Sequence, residues 1–123
     1  MYVTDLKTTE EQEVMIPDSP GRVTVKWMLT EAKGAPNFEL RYFSLTGGAQ
    51  TEWHAHPWEH EVFVVKGSGA VSYEGGEHLL EAGSSVLVLP EEMHRFKQRG
   101  DQPFDFICIV PKGTLACGMP AKK

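Results

Sequence analysis

The sequence predicts an all-β fold built as an antiparallel sandwich or barrel. Three observations carry that reading. Almost every apolar segment is short and rich in β-branched or aromatic residues. Turn residues close these segments at intervals of roughly 8–12 residues. No stretch shows long helical periodicity. The 123 residues correspond to one domain, residues 1–123, and 12 glycines with 8 prolines punctuate it.

In chain order, residues 1–22 form an N-terminal arm. Within it Thr8–Glu13 is expected to make one helical turn, because Thr9 and Gln12 have capping-box spacing. Val23–Leu29 reads as a strand. Phe38–Thr46 reads as the next, ended by Gly47-Gly48, and Glu61–Lys66 follows, stopped by Gly67. Ala70–Glu74 meets Gly75-Gly76, a two-residue glycine turn that favours a hairpin, with Glu77–Leu80 as the return strand. Ala82-Gly83 turns into Ser85–Leu89, which stops at Pro90. Arg95–Gln98 is short, and Phe104–Val110 closes the set before Pro111. There is no internal repeat, low-complexity tract or linker.

Composition narrows the function classes. Twelve Lys and Arg stand against seventeen Asp and Glu, a net charge of −5, which disfavours a phosphate-binding surface, so no nucleic-acid partner is expected. The longest apolar runs are Val62–Val65, Val86–Leu89 and Ile107–Val110, far short of the about 20 residues a membrane span needs. Asp5, Glu10, Glu11 and Glu13 occupy the place where a signal peptide has a basic start and an apolar stretch. Cys108 and Cys117 show neither C-x-x-C spacing nor a multi-bridge framework. A cytoplasmic protein with reduced thiols and no membrane partner is the expectation.

The informative stretch runs from Gly48 to Gly67. It holds His54, His56 and His60, three of the five histidines in the chain. Residues i and i+2 of a strand project from the same face, so His54 and His56 can point at one ion. His60 shares their parity and joins after a bend at Pro57. Glu61 and Glu59 compete for that third position but have the opposite parity; a bulge would reverse this for Glu61. The fourth ligand is expected from a distant strand, and His94, just after the Pro90 turn, fits. Imidazoles suit zinc, copper, iron, nickel and manganese.

These residues resemble the cupin superfamily. Gly48-x5-His54-x-His56-x3-His60-x6-Gly67 is similar to its first motif (residues 48–67), with His60 where most members have glutamate. The second motif (residues 83–98) is looser. Gly83, Pro90 and His94 stand in order, with one residue more than usual between the first pair and one fewer between the second. Gln98 replaces the closing asparagine. The chain resembles most the small one-domain bacterial cupins with a four-histidine site, which share its APNF lead-in (Ala35–Phe38), its HPWEHEVFV run and its FICIVPK strand (Phe106–Lys112). That resemblance implies a double-stranded β-helix, or jelly-roll, barrel. It also implies a divalent metal at His54, His56, His60 and His94, manganese before iron, nickel, zinc or copper, and a homodimer.

Other residues receive plainer readings. His78 has no partner at a useful spacing and is expected on the surface. Cys108 is expected as a small buried filler, with a thiolate ligand or redox-sensitive thiol as the alternative. Cys117 lies in the tail. Trp53 and Trp58 either line a pocket mouth or pack at a subunit contact. Phe96, Phe104 and Phe106 are read as core. Arg41, Arg95 and Arg99 are placed at the surface, with contact to a substrate carboxylate as the other reading.

Four neutral imidazoles leave the charge of a divalent ion uncompensated by its protein ligands, and a six-coordinate ion keeps two positions open. That suits activation of oxygen or polarisation of a carbonyl. The leading expectation is a metal-dependent oxidoreductase, dioxygenase-like, acting on a small organic molecule, with no separate general base identifiable. A non-oxidative isomerase or cyclase is the second expectation. A non-catalytic metal or small-ligand binding protein is the third.

Overall fold

The computed structural model describes residues 1–114 and 119–122. Nine strands run through them: β1 (Gln12–Val14), β2 (Arg22–Leu29), β3 (Phe38–Thr46), β4 (His60–Lys66), β5 (Ser68–Tyr73), β6 (Gly76–Glu81), β7 (Ser85–Val88), β8 (His94–Arg99) and β9 (Phe104–Pro111). They form a six-stranded sheet in the order β1-β2-β3-β9-β4-β7 and a three-stranded sheet in the order β6-β5-β8. Every pairing is antiparallel. The two sheets share one core, and the architecture is the jelly-roll that the sequence predicts.

Alternation decides which side chains face that core. In β3 Glu39, Arg41, Phe43 and Leu45 are buried, while their neighbours are less so. In β4 His60, Val62 and Val64 point inward, and Glu61 and Phe63 are exposed. Cross-strand register then lays Trp27, Arg41, Cys108 and Val62 in one row across the larger sheet. Phe96 of the smaller sheet meets Phe106 of the larger at 5.0 Å between ring centroids, and Phe43 stacks on Phe106 at 5.3 Å. Phe104 is wholly buried. The three phenylalanines read as core are core.

Two local expectations need correction. Thr8–Glu13 makes no helical turn that continues. The turn lies earlier, with Asp5 Oδ1 accepting from the Thr8 N–H at 2.8 Å and Asp5 O from the Thr9 N–H at 3.2 Å. Gln12–Val14 instead pairs with β2, because Val14 gains burial opposite Val23. The hairpin loop is Glu74-Gly75, one residue before the expected Gly75-Gly76, since Gly76 pairs with Tyr73 in the register that turns Leu80 inward. Cys117 lies outside the described residues.

The segment between β3 and β4 matters most for the site. It runs beside β8, where the Thr51 N–H donates to Phe96 O at 2.8 Å and the Gln98 N–H to Ala49 O at 3.0 Å. It then crosses to the larger sheet and becomes β4. At the far end of β4, Gly67 has φ +79°, and a Cβ there would stand 2.0 Å from the Pro103 carbonyl oxygen. Only glycine fits that position.

Candidate metal centre

The crossing segment supplies His54 and His56, β4 supplies His60 and β8 supplies His94. Reciprocal backbone bonds clamp the first to the last: the His54 N–H donates to His94 O at 3.2 Å, and the His94 N–H to His54 O at 3.0 Å. Two rings are oriented by carbonyls. His56 Nδ1 lies 2.8 Å from Trp58 O, and His94 Nδ1 lies 2.8 Å from Glu92 O. A carbonyl oxygen only accepts, so in both neutral rings the proton sits on Nδ1 and Nε2 keeps its lone pair. The ring of His56 also stacks on Trp58, 4.5 Å between centroids and 6° from parallel.

The candidate ligand atoms of His54, His56 and His94 all lie within 4.8 Å of one another. His60, expected as an equal member of the group, stands beside this trio. Its Nε2 is 3.1 Å from His94 Nε2, and its Nδ1 is 3.0 Å from Cys108 Sγ. Its centroid is 4.9 Å from that of His56. Glu59 and Glu61, the competing carboxylates, are both exposed, as their parity requires.

Burial holds all four rings neutral. It is the largest cause of a pKa brought down to about 4 in His54, helped by His94, His56 and the Arg41 guanidinium. It lowers His60 more strongly still, and lowers His56 and His94 against the opposing pull of their carbonyl partners. At neutral pH the cluster therefore offers lone pairs rather than charge. Two nitrogens each about 2.1 Å from one ion and at right angles to each other stand about 3.0 Å apart. The 3.1 Å between His60 and His94 matches that for this one pair, and the trio of His54, His56 and His94 is close enough together to hold a metal ion.

The histidines line a cavity of ≈ 60 Å³. Its walls are largely hydrocarbon: Val14, Ile16, Val23, Phe43, Phe96 and Phe106. Trp58 lines it too, whereas Trp53 is exposed at 37%. Arg41, placed at the surface from sequence, is only 8% exposed and also lines the cavity. Its Nη2 donates to Cys108 Sγ at 2.9 Å. Arg95 is half-buried with its Nε–H on Thr51 O, and Arg99 is exposed beside Glu77 at 3.7 Å. Cys108 is buried as expected, but it bridges Arg41 and His60 rather than merely filling space. Burial raises its thiol pKa, opposed by the charge and hydrogen bond of Arg41. His78 is exposed and stacks on Tyr73, and it is not among the residues lining the cavity.

Sequence reasoning passed over Glu52 and set Arg41 at the surface, with contact to a substrate carboxylate only as the other reading; both line the cavity. A signal for Arg41 was present: it has the same parity as Phe43 and Leu45, so the alternation of β3 puts a guanidinium indoors. Gln98 acquires a role as well. It accepts from the Gly48 N–H at 2.6 Å and donates to Gln102 O at 2.6 Å, tying the start of the first motif to the end of the second.

A family model described as a cupin domain matches residues 41–110, which is 70 of the 123 residues. The chain belongs to the cupin family. No curated protein matches its sequence. Solved structures share the cupin fold. The polyketide cyclase RemF from Streptomyces resistomycificus is 20% identical, with a TM-score of 0.78 over 96% of this chain and 89% of that one. A sugar phosphate isomerase from Silicibacter pomeroyi is 20% identical, with a TM-score of 0.76 over 90% of this chain and 76% of that one. A predicted oxalate decarboxylase from Thermotoga maritima is 18% identical, with a TM-score of 0.79 over 90% of this chain and 99% of that one. At such identities the likeness shows the fold alone, and cupins of one fold host different reactions. Among the described residues no helix of this cupin is long and apolar enough to cross a membrane.

Proposed function

We propose that this cupin is a metal-dependent oxidoreductase, dioxygenase-like, acting on a small organic molecule. His54, His56, His60 and His94 would hold a divalent metal, manganese first and iron, nickel, zinc or copper by the same donor chemistry. One observation carries the reading: neutral imidazoles converge in a cavity whose walls are otherwise mostly hydrocarbon. The bound ion supplies Lewis acidity and, where redox-active, access to one-electron chemistry with O2. The chain supplies the rest. The carbonyls of Trp58 and Glu92 fix two ring orientations, and Cys108 steadies His60. Phe43, Phe96 and Phe106 keep bulk water from the reacting molecule.

The second reading, a non-oxidative isomerase or cyclase, is favoured by Glu52, the single carboxylate among the described residues lining the cavity and a side-chain type that serves in proton transfer. Oxygen uptake decides between them. Protein reconstituted with Mn(II) or Fe(II) is offered a panel of small enolisable and alkenyl compounds in an oxygen-electrode cell. Metal-dependent O2 consumption is expected; its absence across the panel, with metal content verified, overturns the oxidoreductase reading. Metal-dependent turnover followed by NMR under argon would then establish the second. We further propose a cytoplasmic homodimer. Its contact would use the outer face where Phe63, Leu87, Ile107 and Ile109 meet, and light scattering on eluting protein tests it.

A further inference from the structure

We propose that the molecule admitted to the histidine cavity is a small organic anion whose carboxylate is held by Arg41. The proposal deepens the reading above and rests on it for the use of the cavity.

Among the described residues Arg41 is a buried cation without a counter-charge paired to it. It is 8% exposed, and its Nε is fully buried with no hydrogen-bond partner among the described residues. Among the described residues only its Nη2 is engaged, by a thiol sulfur, and Arg41 takes part in none of their ion pairs. Glu39, two residues earlier on the same face of β3, is already occupied by Lys122 and by the Glu31 N–H at 2.8 Å. Aromatic faces lie near the guanidinium, Phe43 at 5.0 Å and Trp27 at 5.8 Å, but these soften a charge without neutralising it. Burying a cation is costly unless it is paired, and removing one partner of a buried pair leaves the other uncompensated. A guanidinium kept in this condition at the wall of a cavity is a receptor for an anion.

Position ties the receptor to the metal centre. Arg41 Nη2 and His60 Nδ1 both meet Cys108 Sγ, at 2.9 and 3.0 Å, so the guanidinium stands one sulfur atom away from a candidate ligand ring. The opposite side of the ledger is thin: Glu52 is the one carboxylate among the described lining residues. The planar fork of a guanidinium suits a planar carboxylate. Size narrows the class further. About 10–15 Å³ by a water-sized probe holds one water. The ≈ 60 Å³ of this cavity then accepts roughly four to six heavy atoms, the scale of a 2-oxo or 2-hydroxy acid with three carbons.

The test compares pyruvate with its uncharged isostere pyruvamide, by calorimetry and by quenching of tryptophan fluorescence, in Mn(II)-loaded and chelator-treated protein. Loaded wild type is expected to prefer pyruvate by about 10- to 150-fold, the range that a hydrogen bond to a charged group supports. Arg41→Met should erase that preference while its metal content stays at the wild-type level. Arg41→Lys keeps the charge without the planar fork, so it should keep the preference with several-fold weaker binding; it also serves if Arg41→Met does not fold. Equal binding of the two probes by loaded wild type overturns the proposal, as does an undiminished preference in folded Arg41→Met. If the protein takes up no metal yet shows an Arg41-dependent preference for pyruvate, the metal reading fails and the anion site stands.

Discussion

Alanine at Gly67 and alanine at Gly83 should differ, and the difference measures a single backbone contact. Both glycines have a left-handed φ, +79° and +95°. At Gly83 an added Cβ meets nothing within 4 Å, so only the conformational penalty applies, about 1–2 kcal/mol. At Gly67 the same penalty is joined by a Cβ placed 2.0 Å from the Pro103 carbonyl oxygen and 3.0 Å from Phe104 Cα. Neither neighbour is the far end of a flexible side chain, so β4 or the start of β9 must shift, adding about 1–3 kcal/mol. An unfolding entropy of about 2.1 cal/mol/K per residue over 123 residues makes each kcal/mol worth about 4 °C. Gly83→Ala should therefore lower Tm by about 4–8 °C, and Gly67→Ala by about 8–20 °C. Calorimetric melts in excess chelator keep metal linkage out of the comparison. Equal losses in the two variants would refute the reasoning, because they would mean that the Pro103 contact relaxes at no cost.

Three further outcomes are expected. His94→Ala should lower metal affinity by orders of magnitude and His78→Ala should leave it unchanged, since His78 is exposed and stacked on Tyr73; equal metal content in both by elemental analysis would sink the ligand assignment. In chelated protein the cluster makes stability depend on pH. His54 takes its proton near pH 4 when folded and near 6.5 when unfolded, and His56, His60 and His94 are shifted in the same direction. The unfolded chain thus binds protons first, so stability is full above about pH 6.5 and declines as the pH falls toward 4; the denaturant midpoint should be lower at pH 5 than at pH 7.5, and no change would contradict burial as the cause. Phe104→Ala, at a wholly buried site, should cost about 3–5 kcal/mol in denaturant unfolding, and a loss below 1 kcal/mol would show that the core collapses around it.

Much of this was readable one residue at a time. The β3 boundaries, Phe38–Thr46, agree residue for residue with the sequence reading, because strict alternation and a glycine pair mark a half-buried strand from both sides. The inward placement of His60 and the outward placement of Glu61 follow from parity alone. The N-terminal arm was misread where local and tertiary preferences compete. Capping-box spacing favours a turn, but Val14 gains more by pairing beside β2 and entering the core. Arg41 was misplaced because residue type outweighed position, although its parity pointed inward.

The sequence by itself determined the class of fold, the family and the histidines His54, His56 and His94 that gather as candidate metal ligands, because alternation, turn residues and short spacings are local properties. Tertiary structure decided what those imidazoles are near. His54 and His94 are 40 positions apart in the chain, yet their backbones exchange two hydrogen bonds. His60 reaches the ring of His94 only because β4 and β8 lie in sheets that face each other across the core. The row that sets Arg41 against Cys108 and Val62, with His60 two residues along β4 reaching Cys108 diagonally, is likewise a product of strand register in the larger sheet. Register is a collective property of packed strands, fixed by which faces can be buried together. No single segment carries it, which is why the charge on the wall of the cavity emerged from the fold and not from the motif.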